Sequence, residues 1–211
     1  MKTLAAVVLA LAAASPVAAQ PSGSSRIAIR PFVMVAGEQF AAKETFKAIF
    51  GQSAQPFLGG GVELVTGRGV FLDVTVSRFS KKGERAFVSD DGEAFSLGIP
   101  VTVTLVPIEV SAGYRFRIGQ AGRVSPYVGG GFGSYGYTES DETEADDLTL
   151  RHTGFLAVGG IEYRAGAWVA VSADVQYTNV SGILGDGGVS EQVGESNLGG
   201  IAARFRIILG K

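Results

Sequence analysis

The sequence predicts an all-β chain: an eight-stranded, antiparallel, up-and-down transmembrane β-barrel. Three observations carry this reading. Beyond the first twenty residues, apolar positions alternate with small or charged ones. Val169, Val171, Ala173, Val175 and Tyr177 share one parity, and Trp168, Ala170, Ser172, Asp174 and Gln176 the other. A period of two means a strand with one face in an apolar medium and one in a polar medium. Such segments recur eight times, an even count, most with the ~9–11 residues of a tilted span. Finally, the chain opens on an export pattern, and its mature part contains no apolar run of ~18 residues, so helices do not provide the span.

The export pattern is Met1-Lys2, an apolar stretch from Leu4 to Ala14, then Ser15-Pro16 and the small residues Val17-Ala18-Ala19 before Gln20. This is the layout of a cleaved secretory signal peptide, so residues 1–19 are set apart and 20–25 form a short periplasmic lead into a barrel domain at 26–211. The chain has no cysteine, which excludes a disulfide framework and thiolate metal sites. A net charge of −2 and the absence of a basic patch exclude nucleic acid as a partner. The 31 glycines lack a collagen period and fit closely packed or sharply bent strands.

The elements follow in order. Arg26 to Ala36 is the first strand and Glu38 to Pro56 a long connection. Phe57 to Thr66 is the second strand, closed by the tight turn Gly67-Arg68-Gly69. Val70 to Phe79 is the third, with a continuation past a bulge at Lys81-Lys82-Gly83. Asp91-Gly92 is a hairpin-turn signal. The return strand runs to about Arg117, interrupted at Pro107. In it Val101, Val103 and Leu105 are odd, whereas Ile108, Val110, Ala112, Tyr114 and Phe116 are even, and a bulge near Val106-Pro107 would reconcile them. Ile118 to Arg123 is turn-like, with Gly119 at its turn. Pro126 to Tyr137 is the fifth strand and Thr138 to Asp147 an acidic loop. Leu150 to Tyr163 is the sixth, with a tight turn at Arg164 to Ala167. Trp168 to Tyr177 is the seventh, Val180 to Glu195 a Gly-rich loop, and Leu198 to Ile208 the eighth. Connections alternate long and short, as in bacterial barrels with short periplasmic turns and longer outer loops. Both termini then lie in the periplasm.

Charge placement decides between lipid and water. Lys43, Lys47, Lys81 and Lys82 all fall in expected outer connections, whereas a soluble barrel needs a wet outer face on every strand. The inward parity holds Arg30, Glu63, Asp73, Glu109, Arg115, Asp174, Arg204 and Arg206. An eight-stranded barrel is just wide enough for side chains to fill it, and opposite charges there can pair, which offsets their desolvation. An Arg facing lipid at the midplane would cost ~2–4 kcal/mol. A plugged polar interior follows. Tyr114, Phe116, Tyr127, Tyr163, Trp168 and Phe205 lie near the periplasmic strand ends, and Tyr135, Tyr137 and Tyr177 near the outer ends, as two aromatic belts.

The Gly-rich strand Tyr127 to Gly136, the Gly-Gly-Ile-Glu-Tyr strand Gly159 to Tyr163 and the closing stretch Gly199 to Arg206 together resemble the small OmpA/OmpX-like outer membrane protein beta-barrel domain family, over roughly Arg26 to Ile208. The resemblance implies a monomer in the outer membrane, in contact with outer-membrane lipid and lipopolysaccharide and inserted by the barrel-assembly machinery. Family barrels end in an aromatic residue. This one ends Ile207-Ile208-Leu209-Gly210-Lys211, with Phe205 set back. Phe40 to Phe46 and Gly182 to Gly188 look like signatures of a narrower subgroup and carry no activity with them.

No motif for catalysis, cofactor or metal emerges. Gly131 to Gly136 matches G-x-G-x-x-G, but an alternating strand contains it and no helix follows, so the dinucleotide reading fails. His152 is the single histidine. A nucleophile held by its base is needed for catalysis, and the neighbouring Thr153 points to the other face. Glu139, Asp141, Glu142, Glu144, Asp146 and Asp147 form a solvated charge run without ordered calcium-loop spacing. Phe46, Ile49 and Phe50 share one face of a short helix over Phe40, Lys43, Phe46, Lys47, Ile49 and Phe50, set to cap the barrel mouth. The expected role is structural or surface-interacting, through outer connections around 38–56, 80–98, 138–149 and 179–195. The rivals are a lipid-modifying barrel enzyme using His152 and a narrow solute channel.

Overall fold

The computed structural model describes residues 27–89, 94–116, 118, 123–141, 148–185 and 188–210. The expected signal peptide, the lead 20–25, Arg26, the Asp91-Gly92 turn, Gly119 and the acidic residues 142–147 lie outside them. Eight strands form a closed antiparallel barrel in which each pairs with its sequence neighbours and the last with the first. They are β1 (Ile27–Phe40), β2 (Ala54–Thr66), β3 (Val70–Val88), β4 (Ala94–Arg115), β5 (Val124–Asp141), β6 (Leu148–Arg164), β7 (Val169–Asn179) and β8 (Gly200–Leu209). Two helices interrupt the outer connections: α1 (Lys43–Phe50) and α2 (Gly188–Gln192).

The pairing can be followed around the wall. Ala28 faces Val65, Val65 faces Phe71, Phe71 faces Gly113, and Gly113 faces Gly129. The path continues through Val158, Gln176 and Ala202 and returns to β1 at Glu38, ten residues beyond Ala28. That stagger tilts the strands by roughly 40° from the barrel axis.

Exposed apolar side chains run from Ile27 to Val35 on β1, Val70 to Val76 on β3, Tyr114 to Ile108 on β4 with Phe116 just past its end, and Val124 to Phe132 on β5. They continue from Tyr163 to Phe155 on β6, Val169 to Tyr177 on β7, and Leu209 to Ile201 on β8. Most of these runs cover about nine residues, the length of a tilted membrane-crossing strand. They form one hydrocarbon belt around the wall.

Above the belt the architecture departs from the sequence reading. Residues 80–88 and 94–98, counted among the outer connections, are strand, in line with the expected continuation of the third strand toward a hairpin and its return; 138–141 and 148–149, expected as a loop, are strand too. β3 to β6 therefore rise past the belt as a four-stranded sheet. No bulge occurs at Lys81-Lys82-Gly83; the register shift falls between Glu84 and Ala86. None occurs at Val106-Pro107 either, because Val76↔Ile108 and Phe79↔Leu105 share one register. The parity switch in β4 records a change of surroundings. Within the belt, even residues meet lipid and odd ones such as Glu109 line a polar interior. Above it, odd Val101, Val103 and Leu105 stay inside, where the interior has become apolar.

That apolar tier gathers Phe40, Phe57, Phe79, Val103, Leu105, Tyr135 and Tyr137 with Phe46 of α1. Phe46 stacks on Phe40 with ring centroids 3.8 Å apart, and Phe50 meets Phe79 edge-on at 5.7 Å. Apolar burial thus holds α1 across the mouth. At its C-terminal end Gly51 takes φ 75° and donates its N–H to Lys47 O, the left-handed cap that glycine adopts without strain. Its N-terminal end is capped from afar: the Glu195 carboxylate accepts from Glu44 N at 3.1 Å and Thr45 N at 2.9 Å.

Candidate functional site

The lower interior is an ionic layer. Arg30, Glu63, Asp73, Glu109, Arg115, Asp174, Arg204 and Arg206 are all buried, Glu63 at 0% and Arg206 at 1% exposure. Six strands contribute them. Near the periplasmic end Arg30 meets Glu63 at 3.2 Å and Glu162 at 2.7 Å. Arg115 pairs with the same two carboxylates. Higher up, Arg206 reaches Asp73 at 2.6 Å and Asp174 at 3.2 Å. Arg204 pairs with Asp174 and bonds to the Gln176 amide oxygen. Four guanidiniums therefore face five carboxylates in a space without bulk water. Shared partners offset the large desolvation cost of each ion.

Tyr127 joins the two halves of this layer. Expected in the periplasmic aromatic belt, it faces inward instead. Its hydroxyl donates to Asp174 Oδ2 at 2.6 Å and accepts from Arg206 at 2.6 Å. Its ring lies 4.7 Å from the Arg115 guanidinium and 5.4 Å from that of Arg206. The reason is parity: odd residues of β5 point in, while Val128 and Phe132 point to lipid. Tyr135 and Tyr137, expected in the outer belt, are inward for the same reason. Tyr135 donates to Glu109 at 2.8 Å, and Tyr137 to Glu139 at 2.9 Å. Tyr114, Phe116, Tyr163, Trp168, Phe205 and Tyr177 sit on the exposed face. Glu162 was missed by the sequence reading, although the outward Ile161 and Tyr163 flanking it give its parity away.

A cavity of about 30 Å³ separates the ionic layer from the apolar tier, bordered by Glu38, Glu109, Tyr135, Gln176, Thr178 and Arg204. This is room for two or so waters. His152 lies on the inward face of β6 opposite Tyr135, and its Nδ1 is buried without a hydrogen-bond partner among the described residues. Gly131 to Gly136 lies inside β5, paired on both sides, so these glycines open no helix. They admit side chains: a Cβ on Gly133 would meet the Tyr135 ring at 2.8 Å. Among the described residues no cluster of metal-ligating side chains is present.

A closed eight-stranded wall with an apolar belt outside and paired ions inside is the design of a small membrane barrel. Residues 3–199 match the model of the outer membrane protein beta-barrel domain. The chain belongs to that family. As an outer membrane beta-barrel domain protein it resides in the cell outer membrane. Solved barrels share its fold at low identity. OprG from Pseudomonas aeruginosa is 11% identical with a TM-score of 0.51, covering 88% of this chain and 94% of that one. Ail from Yersinia pestis, crystallised with the heparin analogue sucrose octasulfate, is 11% identical with a TM-score of 0.51, covering 89% and 98%. No curated protein matches.

Proposed function

We propose that this outer-membrane barrel is sealed and non-catalytic, and that it serves as a structural and surface-interacting element through its outer end. The observation that carries the reading is the double closure of the interior. Paired ions fill the lower half, and the aromatic tier under α1 fills the upper half, with a small cavity between them. A solute would have to break several buried ion pairs to pass, each costing ~3–5 kcal/mol when one partner is lost. The risen sheet β3–β6 and the two helices supply ordered surface beyond the lipid for an interaction.

The non-catalytic part rests on His152. Its buried Nδ1 hydrogen-bonds no nucleophile or orienting carboxylate among the described residues, and such a pair is what general-base chemistry requires.

The deciding experiment is single-channel recording of the refolded protein in planar bilayers. The sealed reading expects no stable openings, whereas stable ohmic openings would refute it. For the rival enzyme, a His152→Ala strain with an altered lipid A profile would overturn the non-catalytic reading.

A further inference from the structure

The charges inside the barrel do not balance. Among the described residues, five buried carboxylates face the four guanidiniums of the ionic layer, and Glu38 adds a sixth carboxylate above them. Glu38 points inward from β1 and is almost wholly enclosed by the barrel. The small surface it keeps borders the cavity under the aromatic tier. No hydrogen bond or ion pair holds its carboxylate among the described residues. Its neighbours on the wall explain why. Ala202 on β8 has no side-chain donor. The Gln55 amide on β2 donates to Gln52 O and accepts from Lys81 instead.

Glu109 shares the cavity with Glu38. Its Oε1 accepts from the Tyr135 hydroxyl and from Gln176 Nε2. Its Oε2 lies 3.9 Å from Arg204 Nη1, beyond hydrogen-bond reach. Arg204 is the cation on the cavity border, and it is engaged elsewhere: Nε donates to Asp174 and Nη1 to the Gln176 amide oxygen. Lys81, His152 and Arg164, which share the inward parity, do not border the cavity. An ionised carboxylate enclosed without a partner is among the costliest arrangements in a protein, and a counter-charge removes the cost. The excess of two negative charges is the complement of one divalent cation. Room for about two waters is too little for magnesium, which keeps several of its own, whereas calcium accepts an irregular set of carboxylate, neutral and water oxygens.

We infer that the cavity between the ionic layer and the aromatic tier is a calcium site. The Glu38 carboxylate and Glu109 Oε2 supply the charge. The Thr178 hydroxyl, which borders the cavity and takes one hydrogen bond from Gln176, supplies a neutral oxygen, and water supplies the rest. Two carboxylates are fewer acidic ligands than a dedicated metal cluster gathers, so enclosure does part of the holding: paired ions lie below the ion and stacked rings above it. Bound there, calcium ties β1 to β4 and β7 across the interior. The inference does not depend on what the outer end of the barrel contacts.

The test refolds the full mature barrel in detergent with calcium, with magnesium or with chelator, removes free ion by gel filtration, and counts metal per chain by elemental mass spectrometry. Wild type is expected to retain one calcium per chain and no magnesium, and calcium should raise its urea unfolding midpoint. Glu38→Gln, which keeps the shape and removes the charge, should retain none and unfold at one midpoint with or without calcium. The acidic run of the outer loop is the control: Glu142→Gln, Glu144→Gln, Asp146→Asn, Asp147→Asn together should retain the ion as wild type does. A wild-type barrel without calcium, full retention by Glu38→Gln, or an equal loss in the outer-loop variant would each overturn the inference. Should Glu38→Gln refold poorly, Thr178→Val decides the matter. It should weaken calcium affinity by at least the ~10-fold that loss of an outer-shell partner costs, and unchanged affinity would overturn the site.

Discussion

Tyr127 of β5 donates its phenolic proton to Asp174 of β7 across the barrel interior, at 2.6 Å. The same oxygen accepts from Arg206, so one hydroxyl satisfies a carboxylate and a guanidinium together. Tyr127→Phe keeps the ring between Arg115 and Arg206 and removes only that link. We expect the barrel to close with a loss of about 1–3 kcal/mol, the cost of leaving a buried polar group unmet. Urea unfolding from lipid vesicles measures it. A tyrosine at the lipid surface would tolerate the change, so a neutral result would contradict the inward placement.

Glu162 holds both Arg30 and Arg115. Glu162→Leu strips one counter-ion from two buried guanidiniums, and a loss of roughly 3–5 kcal/mol is expected. Arg115 keeps Glu63, so pairing Glu162→Leu with Arg30→Met should recover part of the loss. A double-mutant cycle in the same unfolding assay gives the coupling. Strict additivity would show that the pair does not act as a unit.

The strand pattern was legible in the sequence because lipid imposes a period of two that no loop imitates. What a face meets was less legible. In β4 the apolar set moves from even to odd residues, and the same letters fit a bulge or a change of medium. The register shows a straight strand whose interior turns apolar above the belt. Tyr127 was misplaced because an aromatic near a strand end suits a belt and an interior equally well. Its odd parity, shared with Gly129, Gly131 and Gly133, was the better guide. The cap of α1 by Glu195 links residues 150 apart, and no local pattern announces such a contact.

Glycines on the inner wall make room for rings. A Cβ on Gly113 would meet the Phe71 ring at 2.6 Å and also the backbone oxygen of Val128. Backbone cannot step aside, so Gly113→Val should abolish the fast-migrating folded band on unboiled gels. Gly166→Ala, in a turn with open space around the new Cβ, should refold as wild type. Equal yields for the two variants would remove the packing argument for these glycines.

The lid makes a separable prediction. Glu195 is the N-terminal cap of α1, and a cap is worth about 1 kcal/mol, or roughly five-fold in a local opening equilibrium. Glu195→Ala should therefore speed amide exchange across residues 43–50 by about that factor, while exchange in β7 and β8 stays unchanged. Glu195→Gln, which keeps one acceptor oxygen, should recover part of the protection. The aromatic stack of Phe46 on Phe40 remains in both variants, so α1 should loosen at its first turn and stay seated. If exchange rises through the whole barrel instead, the contact supports the wall and not the lid alone.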